Sequence, residues 1–170
     1  MSPWVRRTWA AAGCTPVLHQ RTRSYRHVSA IGAITISPRR QRLGLFLHLH
    51  PDESIRQEQA LQFLQGLLRH LRGHVVLVWD RLSVHRGGRV RRFIDDHHRL
   101  HVEPLPPYAP ELNAVEYLWG WLKTNPLANR CASDLDELTH DVQRSSEGVM
   151  NNQQLLRGFV HATGLPIQLN

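Results

Sequence analysis

The chain has 170 residues, which suits a single domain able to bury roughly 70% of the surface of its extended form. Hydrophobic residues make up 41% of the sequence and occur in periodic blocks, which argues against a chain that is disordered as a whole. No apolar run approaches the ~18 residues of a membrane span. The formal net charge of +7 favours an anionic partner such as nucleic acid, although coding bias also explains the surplus, because Lys123 is the single lysine among 21 cationic residues.

The cysteines and the first residues indicate the cellular compartment. Cys14 and Cys131 are far apart and lack the spacing of a metal site or a redox motif, so they suit a reducing cytoplasm without disulfides. Residues 1–7 lack the apolar stretch of a signal peptide. We therefore expect a soluble cytoplasmic protein with no membrane partner, located at the nucleoid when it is bound to DNA.

The first part of the chain predicts strands followed by a helix. A short strand at residues 17–18 leads through an Arg-rich turn to two strand-like stretches, residues 27–36 and 43–49, which predict a hairpin-linked pair. Apolar residues then recur at helical spacing, and Ser54 with Gln57 forms a capping-box signature at the start of that helix.

The middle of the chain alternates strands with helices. Val75–Trp79 predicts a buried strand that ends in the acidic residue Asp80. A loop and a helix of about residues 88–98 follow, and Leu100–Val102 predicts another short strand. This alternation indicates an α/β fold.

A proline-rich segment at residues 104–110 cannot be helix or central strand, so it must form a shaped loop. The residues after it predict a helix with an apolar face at i, i+3, i+4 and i+7 spacing. The apolar face consists of Val115, Leu118, Trp119 and Leu122. Glu116 and Lys123 lie on the adjacent edge of that helix, so Glu116 can point past the core toward the rim of the sheet.

The last part of the chain predicts one more helix, at about residues 133–147, with Ser133 and Asp136 as its capping pair. The sequence then turns polar, which predicts a loosely attached tail. We therefore expect one domain over residues 1–150 and a polar C-terminal tail over residues 151–170.

Asp80 and Glu116 are the candidate functional carboxylates. A carboxylate at the carboxyl end of a parallel-type strand lies at the open rim of an α/β sheet, where ligands bind. Two such groups can hold Mg²⁺, and paired metals support phosphodiester chemistry by activating the attacking oxygen and stabilising the leaving one. The pair alone is weak evidence, because any soluble chain offers many combinations of Asp and Glu.

Three segments supply a more specific context. They are Thr8–Trp9 with Gly13–Val17, Val78–His85, and Leu105–Trp119 with Lys123. Together they resemble the catalytic domain of bacterial insertion-sequence transposases, in the branch of the mariner-like superfamily called insertion sequence family 630. The resemblance covers roughly residues 4–145, and its most specific piece is the proline-tyrosine-proline loop that leads into Asn113 and Glu116. It implies a ribonuclease H-like α/β fold, a mixed sheet flanked by helices.

The resemblance implies an enzyme of DNA transposition that cleaves and transfers DNA strands with Mg²⁺ or Mn²⁺ and an Asp-Asp-Glu set. Asp80 matches the second carboxylate of the set and Glu116 the third. The family's first Asp lies on the first central strand, upstream of the segment matching Trp9, and the chain begins too late to include it. We therefore expect a truncated domain that lacks this strand and is inactive alone. Implied partners are DNA, as transposon ends and target, and a full-length transposase or a second copy of the chain.

Each candidate ligand has a structural alternative. Asp80 could instead cap the turn after its strand. Glu116 could form a capping box with Asn113, in which case its carboxylate would be turned away from a metal.

The remaining candidates divide into DNA contacts and loop-shaping residues. Candidate phosphate contacts are Arg81, His85, Arg89, Arg92 and Lys123, and candidate loop-shaping residues are Pro107, Tyr108, Pro110 and Asn113. His85 could alternatively orient the loop after Asp80, and Arg81 could weaken metal binding by like-charge repulsion.

Two rival functions remain open from the sequence. One is a non-catalytic remnant of a transposase that still binds DNA through its basic surface, which predicts salt-sensitive binding without metal dependence. The other is a ribonuclease H-type nuclease with a different acidic set, against which the proline loop argues.

Overall fold

A computed structural model of the protein describes residues 7, 10–14, 17 and 27–170. Its strands are β1 (Val28–Ile36), β2 (Leu43–Pro51), β3 (Val75–Trp79) and β4 (Leu100–Pro104). Its α-helices are α1 (Gln57–His70), α2 (Gly88–Asp95), α3 (Ala114–Thr124), α4 (Leu135–Met150) and α5 (Gln153–Ala162). Short 3-10 turns lie at Ser83–Arg86 and Pro110–Leu112. The short strand predicted at residues 17–18 lies largely outside the described residues.

β1 and β2 form the predicted antiparallel hairpin. Val28 pairs with Pro51 at one end and Ile36 with Leu43 at the other. Two backbone hydrogen bonds of Ser37 close the connecting turn. The Ser37 amide donates to the carbonyl of Arg42, and the Ser37 carbonyl accepts from the amide of Arg40. The turn lets the alternating residues of both strands share faces, as their period of two requires.

β3 and β4 form a parallel pair, in register from Val75 opposite Leu100 to Trp79 opposite Pro104. Parallel strands need a crossover, which α2 supplies here. Among the described residues the strands thus form two separate two-stranded sheets, one antiparallel and one parallel, whereas the sequence predicted one mixed sheet. The predicted sheet is divided because no backbone hydrogen bonds pair β1 with β3 within this part of the chain.

Helix α1 packs against both sheets. The Phe63 ring lies 5.3 Å from that of Phe46 on β2, while Leu61 and Leu64 share a buried cluster with Leu77 on β3. The two sheets are therefore held together from one side by the apolar face that the sequence predicted for this helix.

Two predicted helix starts are wrong by one or two positions. Arg56, not Ser54, is the N-cap of α1, because the side chain of Gln59 accepts a hydrogen bond from the Arg56 amide at 3.0 Å. Asp134 caps α4, and its carboxylate accepts from the amide of Glu137 at 2.8 Å. The Glu137 carboxylate in turn accepts from the Ser133 amide. The capping pair is therefore Asp134 with Glu137, one position after the predicted pair of Ser133 with Asp136.

The predicted loose tail after Met150 is wrong. Residues 153–162 form α5, whose Leu156 and Phe159 are buried in the main apolar cluster with α3, α4 and the β1–β2 hairpin. The side chain of Gln153 forms hydrogen bonds with both backbone groups of Leu43, and the Asn170 amide donates to the carbonyl of Arg40. The end of the chain is thus anchored on the hairpin. In the described part, no helix is long and apolar enough to cross a membrane.

Candidate active site

Asp80 lies at the carboxyl end of β3 with its carboxylate already oriented. Oδ1 accepts a hydrogen bond from the Leu82 amide at 3.1 Å and lies 2.9 Å from Nδ1 of His85. The predicted turn cap is therefore real, but both contacts are made to Oδ1, so Oδ2 remains available to a ligand. The hydrogen bond from His85 holds the pKa of Asp80 below its usual value, helped by the Leu82 amide and opposed by burial.

His85 is the partner that orients Asp80. Its ring stacks on Trp79 with centroids 4.1 Å apart and planes 3° from parallel. Nδ1 also lies 3.2 Å from the carbonyl oxygen of Asp80. Because a carboxylate and a carbonyl both only accept, Nδ1 must carry the proton. The side chain is 11% exposed, a placement that favours the orienting role over a phosphate contact.

The proline loop is tied to the same end of β3. The Leu105 amide donates to the carbonyl of Trp79 at 2.8 Å, and Nε of Arg81 donates to the Leu105 carbonyl at 3.0 Å. Tyr108 at the loop tip has a φ of +58° and is fully exposed. Arg81 thus has a structural role that the sequence did not predict: it fastens the loop after β4 to the loop after β3.

Glu116 is carried into the site by the first turn of α3. The side chain of Asn113 caps this helix by accepting from the Val115 amide at 3.1 Å. The amide of Asn113 donates to the Pro110 carbonyl at 3.0 Å, so it is not the partner of the Glu116 carboxylate. Asn113 is thus the N-cap, but the alternative in which Glu116 completes a capping box with it is not formed, and the Glu116 carboxylate is left to the site.

Asp80 and Glu116 line one cavity of about 500 Å³. Its other walls are Arg81, Leu82 and the proline loop of residues 105–110 with Asn113. Burial raises the pKa of Glu116, the negative charge of Asp80 raises it further, and the positive charge of Lys123 opposes both. A divalent cation bound in this cavity would relieve the repulsion between the two negative charges.

The residues present fit one divalent cation only in part. Asp80 offers Oδ2, to which neither of its two contacts is made, and Glu116 offers a second carboxylate in the same cavity. Among the described residues, no three His, Cys, Asp or Glu side chains are grouped as metal ligands. Asp52 and Glu53 lie after β2, where Glu53 pairs with His50 at 3.6 Å, so they do not complete the set.

A family model described as DDE superfamily endonuclease matches residues 1–139. The chain belongs to this superfamily.

Solved structures of one mariner transposase have a similar fold. The chain is similar to the Mos1 transposase catalytic domain solved with raltegravir and Mn, with 13% identity and a TM-score of 0.51. The alignment covers 83% of this chain and 84% of that chain. The chain is also similar to the Mos1 strand transfer complex (14% identity, TM-score 0.53, 98% of this chain and 52% of that chain). These similarities confirm the ribonuclease H-like α/β fold, and the insertion sequence family 630 branch is consistent with them.

The chain also matches a bacterial sequence. It is 37% identical over 68 residues to the uncharacterised protein y4pE/y4sA of Sinorhizobium fredii (strain NBRC 101917 / NGR234). The match covers 39% of this chain and 47% of that protein, so the matched segment spans less than half of the length of either protein.

The other predicted DNA contacts of this DDE superfamily chain lie apart from the cavity wall. Arg89 on α2 is paired with Glu58 at 2.6 Å, which offsets its charge. Arg92 is exposed on the same helix. Lys123 is in the last turn of α3, and its charge acts on Glu116. Of the five predicted contacts, only Arg81 lines the cavity. His85 does not line it but contacts the carboxylate of Asp80, which does.

The raised pKa of Glu116 predicts a pH-dependent stability. A carboxyl group whose pKa is higher in the folded state destabilises the fold once pH passes its ordinary value, because the unfolded chain ionises more readily. Glu116→Gln should therefore raise the free energy of unfolding at pH 7 by less than about 1 kcal/mol, since the group is partly exposed, and by nothing near pH 3.5. Urea unfolding at both pH values checks this, with the exposed Glu111→Gln as control. If Glu116→Gln instead lowers the free energy of unfolding at pH 7, the raised pKa assigned to Glu116 is wrong.

Proposed function

We propose that this chain is a catalytic portion of a transposase that acts on DNA phosphodiester bonds, with Asp80 and Glu116 holding Mg²⁺ or Mn²⁺. The observation that carries the proposal is that both carboxylates line one cavity at the carboxyl ends of β3 and β4. Loops surround that end of a parallel pair, so a substrate can reach it. Metal ions held there as a pair would activate an attacking oxygen and stabilise the leaving one.

The residues around the cavity have separate tasks in this proposal. His85 holds Asp80 in one orientation through Oδ1, which leaves Oδ2 to bind the cation. Lys123 favours the ionised form of Glu116, which is the form that binds metal. Arg81 fixes the relative position of the two loops that carry the carboxylates. Because only two carboxylates meet here among the described residues, we expect weak metal binding and little or no strand cleavage by this polypeptide alone.

DNA is the proposed substrate and partner. The net charge of +7 attracts a phosphate backbone through counterion release. Among the solved structures with a similar fold are a strand transfer complex and a paired end complex of Mos1. By analogy, transposon ends and target DNA are the proposed ligands, and a full-length transposase or a second copy of this chain is the proposed protein partner. We propose that a chain with this role acts in the cytoplasm, and at the nucleoid when it is bound to DNA.

Metal binding tests the proposal without relying on activity. Asp80→Asn and Glu116→Gln should each weaken Mn²⁺ binding by at least about 10-fold, because a cation of this kind depends on the number of charged oxygen ligands. Titration calorimetry and the Mn²⁺-induced rise in Tm measure the effect. Asp136→Asn, an exposed carboxylate on α4, is the matched control and should bind as the parent does.

A second function is favoured by one observation, the absence of a third ligand among the described residues. In that function the chain only binds DNA, as a non-catalytic remnant. The same variants separate the two. If Asp80→Asn and Glu116→Gln leave Mn²⁺ binding unchanged, while DNA binding in EDTA is salt-sensitive and unaffected by Glu116→Gln, the metal site is refuted and the binding function stands. Mg²⁺-dependent nicking that Asp80→Ala abolishes would instead refute the expected inactivity.

A further inference from the structure

Tyr108 has a backbone conformation that its residue type does not favour. Its φ of +58° lies in the left-handed region, which Gly and Asn adopt at little cost, whereas another residue there costs roughly 1 kcal/mol or more. The loop geometry alone would therefore favour Gly at this position. The presence of a tyrosine indicates that the side chain itself contributes something.

The side chain contributes nothing visible to the fold. The Tyr108 ring is fully exposed and belongs to none of the apolar clusters in the described residues. Tyr117 shows the contrast, because its ring packs against the main cluster and its hydroxyl donates to the Glu111 carbonyl. The predicted loop-shaping role thus belongs to the backbone of Tyr108, and its ring remains unexplained by packing.

The position of the ring suggests a ligand. Tyr108 lines the same cavity as Asp80 and Glu116, and Leu82, 57% exposed, lines it from the loop after β3. The two carboxylates thus have exposed apolar groups beside them on two different loops. Prolines on both sides of Tyr108 restrict the loop, so the ring is presented with little entropy to lose on binding.

We infer that Tyr108 is a stacking platform for an unpaired nucleobase next to the phosphodiester bond held at the two carboxylates. An aromatic ring stacks on the face of any base, independent of sequence. In a duplex these faces are covered by neighbouring base pairs, so only an unpaired base can use the platform. The inference rests on the proposed function and adds to it a preference for DNA with an unpaired base at the reacting end.

Anisotropy titrations with two labelled duplexes test this inference in the presence of Mg²⁺. One duplex is blunt, and the other carries a single unpaired terminal nucleotide. The parent chain should bind the second duplex more tightly. Tyr108→Ala should weaken that binding by about 5- to 100-fold, the range for loss of one stacked base, and change blunt-duplex binding less than about 2-fold. Tyr108→Trp should retain the preference.

Controls separate this inference from the metal site. Val76→Ala removes an exposed apolar side chain of β3 outside the cavity wall and should leave both affinities unchanged. Equal weakening of both duplexes by Tyr108→Ala, or no weakening of either, overturns the stacking role while leaving the metal proposal intact. Failure of the parent chain to bind either duplex overturns both proposals.

Discussion

Leu156→Ala should lower the free energy of unfolding by about 2–5 kcal/mol, the cost of removing a fully buried leucine and leaving a cavity. Leu156 has no exposed surface and lies in the apolar cluster that joins α3, α4 and α5 to the β1–β2 hairpin. The effect is large because residues on several elements close around the side chain and cannot all move to fill the space. Urea unfolding followed by circular dichroism measures it.

The neighbouring Gln154 provides the control, since it lies on the same helix and is exposed. Gln154→Ala should change the unfolding free energy by no more than about 0.5 kcal/mol. If Leu156→Ala is as neutral as Gln154→Ala, residues 151–170 are dispensable for stability, and the placement of α5 in the core is wrong. The comparison therefore decides between a core helix and a loosely attached tail.

Helix α5 could not be predicted from the sequence because polar residues surround its apolar ones. Asn151, Asn152 and Gln153 open the segment and suggest solvent. Two of them in fact have structural partners: Asn152 caps the helix by accepting from the Leu155 amide, and Gln153 binds the backbone of β2. Such partners come from the fold, so composition alone cannot distinguish a solvated tail from a docked helix.

The central features of the site could be predicted because they depend on local order along the chain. Asp80 follows an apolar strand, and Glu116 follows a proline-rich loop by a fixed number of residues, so both positions follow from secondary structure. The link between His85 and Asp80 could not be predicted, because it depends on the 3-10 turn of Ser83–Arg86 and on stacking against Trp79. The bond from Arg81 to Leu105 spans two loops and has no signal in the sequence.

Helix starts were missed for a related reason. Several residues near 54–59 can serve as caps, and the one that is used depends on where the chain leaves β2 for α1. Arg56 takes the N-cap position although Ser54 is intrinsically the better capping residue. The reciprocal bond from the Arg56 amide to Gln59 satisfies one backbone donor and compensates for the poor cap.

The largest expected effect on metal binding from outside the ligand pair is that of His85. His85→Phe keeps an aromatic ring to stack on Trp79 but removes the Nδ1–H donor that holds Oδ1 of Asp80. Mn²⁺ binding should weaken by about 10- to 100-fold, the usual cost of losing a group that orients a metal ligand. Calorimetric titration measures the change, and His98→Phe, an exposed histidine after α2, should bind as the parent does.

The pKa of Asp80 gives a second readout that needs no metal. Because the hydrogen bond from His85 is the main cause of the lowered pKa, His85→Phe should move that pKa up toward its ordinary value. A lowered carboxyl pKa stabilises the fold at pH values above the unfolded pKa of about 3.9, and this contribution disappears as pH falls through the folded value. The parent should therefore lose more stability than His85→Phe below about pH 4.

These two readouts distinguish an orienting role from a simple packing role. Carbon-detected titration of the Asp80 carboxyl follows its pKa directly in both proteins. If His85→Phe weakens Mn²⁺ binding while the Asp80 pKa stays low, the loss comes from disturbed packing around Trp79, and the orienting role is wrong. A raised pKa together with weakened binding shows that the hydrogen bond prepares the carboxylate, since a packing defect alone would not return Asp80 to its ordinary pKa.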